Sequence, residues 1–161
     1  MNENYLTILV QKIVKQASEL KDKRTDEANA PVNYAAVFAQ SQREYDELLA
    51  AAKRLGKIIR ETPTGLLFNI EPLDTVAGKL RLLKIRIPDM TRLERGDADF
   101  TVADYPKFKR TYLKQPGFKL IEREDFEIIE LMDSNFNVRA YFSHPPLDQQ
   151  LGLSSKKKVK L

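Results

Sequence analysis

The chain has 161 residues, with 27 Lys+Arg against 23 Asp+Glu, one His and no Cys. Lys156, Lys157, Lys158 and Lys160 crowd into the last eight positions, so residues 1–153 carry equal numbers of acids and bases. This composition excludes a disulfide framework, a cysteine nucleophile, a thiolate metal site and a zinc site built on two imidazoles.

No apolar run approaches the roughly 18 residues that a membrane-spanning helix needs. The start, MNENYLT, lacks the basic n-region of a signal peptide. A cytoplasmic protein is expected, with one domain large enough to bury a core. Leu6, Leu9, Val10, Ile13, Val14, Ala17 and Leu20 recur at spacings of three and four, which predicts an amphipathic first helix. Residues 20–31 (LKDKRTDEANAP) are charged and end in Pro31, as a connector would. Residues 1–30 therefore read as a helical extension, expected to cover its own domain. Swapping onto a second copy would instead make a homodimer.

Residues 32–55 look at first like one long helix. Ser41-Gln-Arg-Glu44 is an S-x-x-E capping box, however, so a helix should start near Gln42 and run through Tyr45, Leu48, Leu49, Ala52 and Leu55 to Gly56. Residues 32–39 (VNYAAVFA) are left as a strand. Residues 57–61 and 66–71 flank the turn Thr62-Pro63-Thr64-Gly65, and after a looser loop residues 79–87 form a further strand stopped by Pro88.

The second half repeats this order. Residues 98–103 alternate as a strand, and Asp104 can cap a helix with Pro106 in its first turn and Phe108, Tyr112 and Leu113 on its buried stripe. Residues 118–123, 126–132 and 138–143 follow as three strands, the last two joined through Asp133-Ser134-Asn135. Two successive βαβββ units, about residues 31–90 and 97–146, are thus expected within one domain spanning residues 31–153. The Lys-rich residues 154–161 read as a disordered tail.

This tandem βαβββ order resembles the vicinal-oxygen-chelate superfamily, which includes glyoxalase I and bleomycin-resistance proteins. The resemblance covers about residues 32–146 and rests on element order and internal repetition. It implies an α+β fold in which two modules form a cleft. In metal-dependent members, His, Glu or Gln ligands sit on the first and last strands of both modules.

Here those strands carry a different chemistry. Period-two alternation puts Lys84 and Arg86 on one face, opposite Leu83, Ile85 and Ile87. It puts Asp99 and Thr101 opposite Phe100 and Val102, and Arg139, Tyr141 and Ser143 opposite Val138, Ala140 and Phe142. Lys84, Arg86 and Arg139 would repel a divalent cation and attract carboxylate or phosphate. The expectation is a small anionic organic ligand held by Lys84, Arg86, Arg139 and Tyr141, with no metal or other cofactor. Asp99 is the first candidate for a general base, and His144 the second, since imidazole titrates near neutrality. The parity of His144 matches the core-facing set, which favours a structural role.

Two other readings compete. One is a metal-dependent enzyme using Asp97 and Asp99 with Glu127 or Glu130, all oxygen donors; the bland reading of the same stretch is a turn in which Asp97 balances Arg95. The other is a nonenzymatic interaction module working through the first helix or the tail. The Arg95-Gly96-Asp97 triplet is treated as coincidence. Lys107, Arg110 and Lys114 make a solvated basic stripe, so neither nucleic acid nor a membrane is an expected partner.

Overall fold

The structure, a computed structural model, describes residues 3–153; the Lys-rich tail lies outside the described residues. Helix α1 (Glu3–Arg24) comes first, followed by β1 (Val32–Phe38), α2 (Gln42–Leu55), β2 (Gly56–Thr62), β3 (Gly65–Thr75) and β4 (Gly78–Arg86). The second half holds β5 (Gly96–Phe100), α3 (Tyr105–Tyr112), β6 (Phe118–Glu122), β7 (Glu127–Leu131), β8 (Val138–His144) and the short α4 (Leu147–Gln150). The fold is α+β, with a mixed eight-stranded sheet and four helices among the described residues.

The sheet runs β2-β3-β4-β1-β5-β8-β7-β6. β1 is parallel to β4, β5 is parallel to β8, and β1 and β5 meet antiparallel at the centre. Outward from that central pair, both halves show the same strand order.

The 32–55 segment splits as the capping box predicts. The Ser41 hydroxyl accepts from the Glu44 amide at 3.1 Å, and the Glu44 carboxylate accepts from the Gln40 amide at 2.8 Å. At α3 the Asp104 carboxylate accepts from the Lys107 amide at 3.1 Å, and Pro106 sits in the first turn. Both caps satisfy amides that have no partner within the helix.

One face of the sheet is apolar and covered by helices. Leu6, Val10, Ile13, Val14, Ala17 and Leu20 of α1 are all buried against the central strands and α2. Each contributes roughly 1.5–3 kcal/mol by leaving water, except the smaller Ala17. A helix of this length is marginal alone, so this packing is what sustains it. α1 also runs one turn past the expected stop at Leu20. Lys21 is fully buried there, its Nζ donating to Asp22 Oδ1 and the Glu27 carbonyl at 2.6 Å each and lying 5.2 Å from the Phe100 ring centroid. Two acceptors and an aromatic face make a buried ammonium tolerable.

Two further differences from the sequence reading are local. The expected loop after residue 71 is strand instead: β3 continues through Pro72 to Thr75, with a register shift between Asn69 and Leu73. An irregularity of this kind accommodates a residue that cannot donate to the ladder. The helix α4 had no strong signal, since four residues after two prolines show no periodicity.

Candidate functional site

The other face of the sheet is polar where the two halves meet. A cavity of about 280 Å³ opens there, with Tyr34, Lys84, Arg86, Asp97, Asp99, Tyr141 and Ser143 in its lining. Strand register explains the assembly. Ala36 of β1 aligns with Lys84 on one side and Asp97 on the other, while Tyr34 aligns with Asp99, and Asp99 with Tyr141. Residues of equal parity on neighbouring strands point the same way, so cations from the first half and carboxylates from the second share one surface.

Lys84 donates through Nζ to the Thr64 hydroxyl. Burial, reinforced by Arg86, pulls its ammonium below the ordinary lysine range, while Asp97 opposes that shift. The Arg86 guanidinium lies 5.6 Å from the Phe38 ring centroid and 3.7 Å from Asp89. Arg92, from the segment joining the halves, packs on the same ring at 5.9 Å and donates to the Tyr141 hydroxyl at 3.2 Å.

Asp97 and Asp99 are 4% and 2% exposed. Burial, then the charge of Asp99, pushes Asp97 up to about 7, against the opposing pull of Arg86, Lys84 and Arg92. Burial likewise raises Asp99 to about 6, held back by its bonds from Ser143. Ser143 donates to Asp99 through both its backbone amide, at 3.1 Å, and its hydroxyl. Asp97 Oδ1 and Arg86 Nε, by contrast, are buried with no hydrogen-bond partner among the described residues. An unsatisfied buried polar atom costs about 1–3 kcal/mol. One orphan acceptor and one orphan donor therefore share the cavity.

Of the residues expected from sequence, Lys84, Arg86, Asp99 and Tyr141 come together in the lining. Arg139 does not join them and is corrected here. It shares their face, but its Nε donates to Glu94 at 2.8 Å and its Nη1 to Glu130 at 3.0 Å, outside the cavity lining. His144 is also corrected as a catalytic candidate. Its ring stacks on Tyr105 of α3 with centroids 4.5 Å apart, and it is not among the residues lining the cavity. The bland reading of Asp97 fails too. Arg95 is bound in bidentate fashion by Glu44, at 2.7 Å to each oxygen, leaving Asp97 without it.

Tyr34, Arg92 and Ser143 are not singled out by the sequence as site residues, and Asp97 enters there only as a candidate metal ligand. The parity that selected Asp99 also selects Asp97, two residues earlier on the same strand. Arg95-Gly96-Asp97 acquires a structural meaning: a Cβ on Gly96 would lie 2.3 Å from the Ala36 carbonyl, so glycine permits the close approach of β1 and β5.

The donor set does not fit a divalent metal. Asp99 is engaged by Ser143, and Lys84, Arg86 and Arg92 lie close enough to Asp97 to shift its proton affinity. Glu127 bonds Tyr105 and Lys109 instead, and Glu130 bonds Arg139 and Tyr141. Among the described residues, no three His, Cys, Asp or Glu side chains gather in a way that could hold an ion.

No helix among the described residues is long and apolar enough to cross a membrane. No protein-family model matches the chain, and no curated protein matches it. Its fold does have a counterpart among solved structures. The structural-genomics protein EC4020 superposes with a TM-score of 0.64 over 83% of this chain and 82% of its own, at 12% identity. At that identity the likeness speaks for the fold alone.

Proposed function

We propose that the chain is a small-molecule-binding protein of the vicinal-oxygen-chelate type, its two βαβββ modules enclosing a cleft that takes an anionic organic ligand without a metal. The carrying observation is the unpartnered Arg86 Nε, buried beside Lys84 in a cavity of about 280 Å³. That volume sits near the lower end of small-molecule sites, roughly 300–1,000 Å³. A carboxylate or phosphate would supply the missing acceptor and face two cations. Asp97 replaces Asp99 as the group suited to proton transfer, because an acid near pH 7 can give or take a proton at little cost.

The test uses 3-phenylpropanoate and phenyl phosphate as probes of anion binding. At a hundredfold excess over Kd, a bound anion stabilises by about 2.7 kcal/mol. That raises the melting temperature by several degrees. The shift should vanish in Arg86→Gln. No shift with either probe, or an equal shift in the variant, overturns the proposal. A stoichiometric divalent ion in protein purified without chelator would overturn its metal-free part.

A further inference from the structure

The chemistry of the cavity is graded along its length, and the register of the strands fixes the order. Arg86 aligns with Phe38 at one end, and Lys84 shares the next row with Ala36 and Asp97. Two residues further along β5, roughly 6.7 Å on, Asp99 aligns with Tyr34 and Tyr141. Past that row, Ile128 faces Ser143 across β7 and β8. Phe126, Leu147 and Gln150 complete that end of the lining. α4 is held there by the Asp148 amide, which donates to the Asn33 side-chain oxygen at 3.1 Å. A molecule lying along the cleft thus meets cations, then the orphan oxygen of Asp97, then apolar walls.

Resting on the anion site proposed above, we infer that the ligand is a 2-hydroxy acid with an apolar, aryl-sized body. Its carboxylate satisfies Arg86 Nε beside Lys84, its hydroxyl donates to Asp97 Oδ1, and its body lies against Phe126, Ile128 and Leu147. The two orphan atoms are of opposite kind, so a plain carboxylate answers only one of them. A hydroxyl next to the carboxylate answers the other. Asp99 cannot take the hydroxyl role on equal terms, because Ser143 already donates to both its oxygens.

The enantiomers of 3-phenyllactate, compared with 3-phenylpropanoate, isolate the hydroxyl. Calorimetric titration of the full chain should show one enantiomer binding about tenfold more tightly than 3-phenylpropanoate. In Asp97→Ala that advantage should shrink to within about twofold, and in Arg86→Gln both acids should weaken by about tenfold or more. Equal binding of all three acids to the wild-type chain, lost in Arg86→Gln, overturns the hydroxyl inference and leaves the anion site standing. Failure of the three acids while phenyl phosphate still binds does the same. Failure of all four probes overturns both. The wild-type comparison decides the point even where a variant does not fold.

Discussion

Two polar clusters share the open face of the sheet, and they differ in how completely they are satisfied. Around Arg139, charges close on one another: Nε reaches Glu94, Nη1 reaches Glu130, and Glu130 also accepts from Tyr141 at 2.9 Å. Around Arg86 and Asp97, a donor and an acceptor remain open in a cavity. Both clusters contain an arginine and buried carboxylates, so residue type does not separate them. The difference lies in whether the chain itself supplies the partners. A closed network uses its charge to hold segments together, whereas the open one leaves a donor and an acceptor without a partner among the described residues.

The sharpest way to break this contrast is Arg139→Met. It takes the guanidinium from Glu94 and Glu130, leaving Glu130 its bond from the Tyr141 hydroxyl, and should destabilise by about 3 kcal/mol, since stranding one side of a buried ion pair is costly. Denaturant unfolding reads this directly. A change below about 1 kcal/mol would mean that the closed cluster is not structural.

Asp97→Asn should act in the opposite direction. The folded chain holds a proton on Asp97 up to about pH 7, whereas an unfolded Asp releases it near 3.9. Between those values the folded state binds more protons, so this group's contribution to stability falls as pH rises. Asp99, raised to about 6 for the same leading reason, adds to the decline. Replacing Asp97 with a neutral amide should flatten that slope and stabilise the protein above pH 7, by about 1–2 kcal/mol. Denaturation midpoints from pH 4 to 8 would show it. An unchanged slope refutes the account. The facing groups Lys84, Arg86, Arg92, Asp99, Tyr34 and Tyr141 all stay in place in this variant.

Arg86→Gln should change stability by less than about 1 kcal/mol, because its nearest carboxylate, on Asp89, is 3.7 Å away. A loss as large as that in Arg139→Met would erase the distinction between the clusters. The smallest effect is expected from His144→Ala, which belongs to neither. Losing its stack on Tyr105 costs about 0.5–1 kcal/mol, and binding of 3-phenylpropanoate should be unaltered. Weakened binding would return His144 to the site.

What the sequence could reveal follows from the range of the interactions involved. The capping box at Ser41 and the N-cap at Asp104 are local, so both helix starts are legible to the residue. The alternation in residues 83–86 and 138–143 is also local and separates the polar face from the core, although Ile87, assigned to the apolar set, is exposed past the end of β4. The continuation of β3 past Pro72 depends on a neighbouring strand, and α4 depends on a seat beside Asn33; neither leaves a mark in its own residues. Arg139 and Arg86 are alike by parity. Glu94, 45 residues away in sequence, and Glu130, on the neighbouring strand, engage Arg139 outside the lining. Asp97 was hidden by its plausible partner Arg95, which the fold gives to Glu44 instead.

The antiparallel pairing of β1 and β5 has one more consequence. The two halves are joined through a ladder of main-chain hydrogen bonds running through the middle of the sheet, with Gly96 drawn tight against Ala36. No clamshell motion can open such a seam without breaking the ladder. The strands β1, β4, β5 and β8 that carry the polar lining therefore stand in a fixed register, and a ligand of the proposed kind would leave little order to be created on binding. Selectivity in this cleft would come from a rigid mould. Any entry or exit would fall to the margins, where Leu147 and Gln150 of α4 border the cavity.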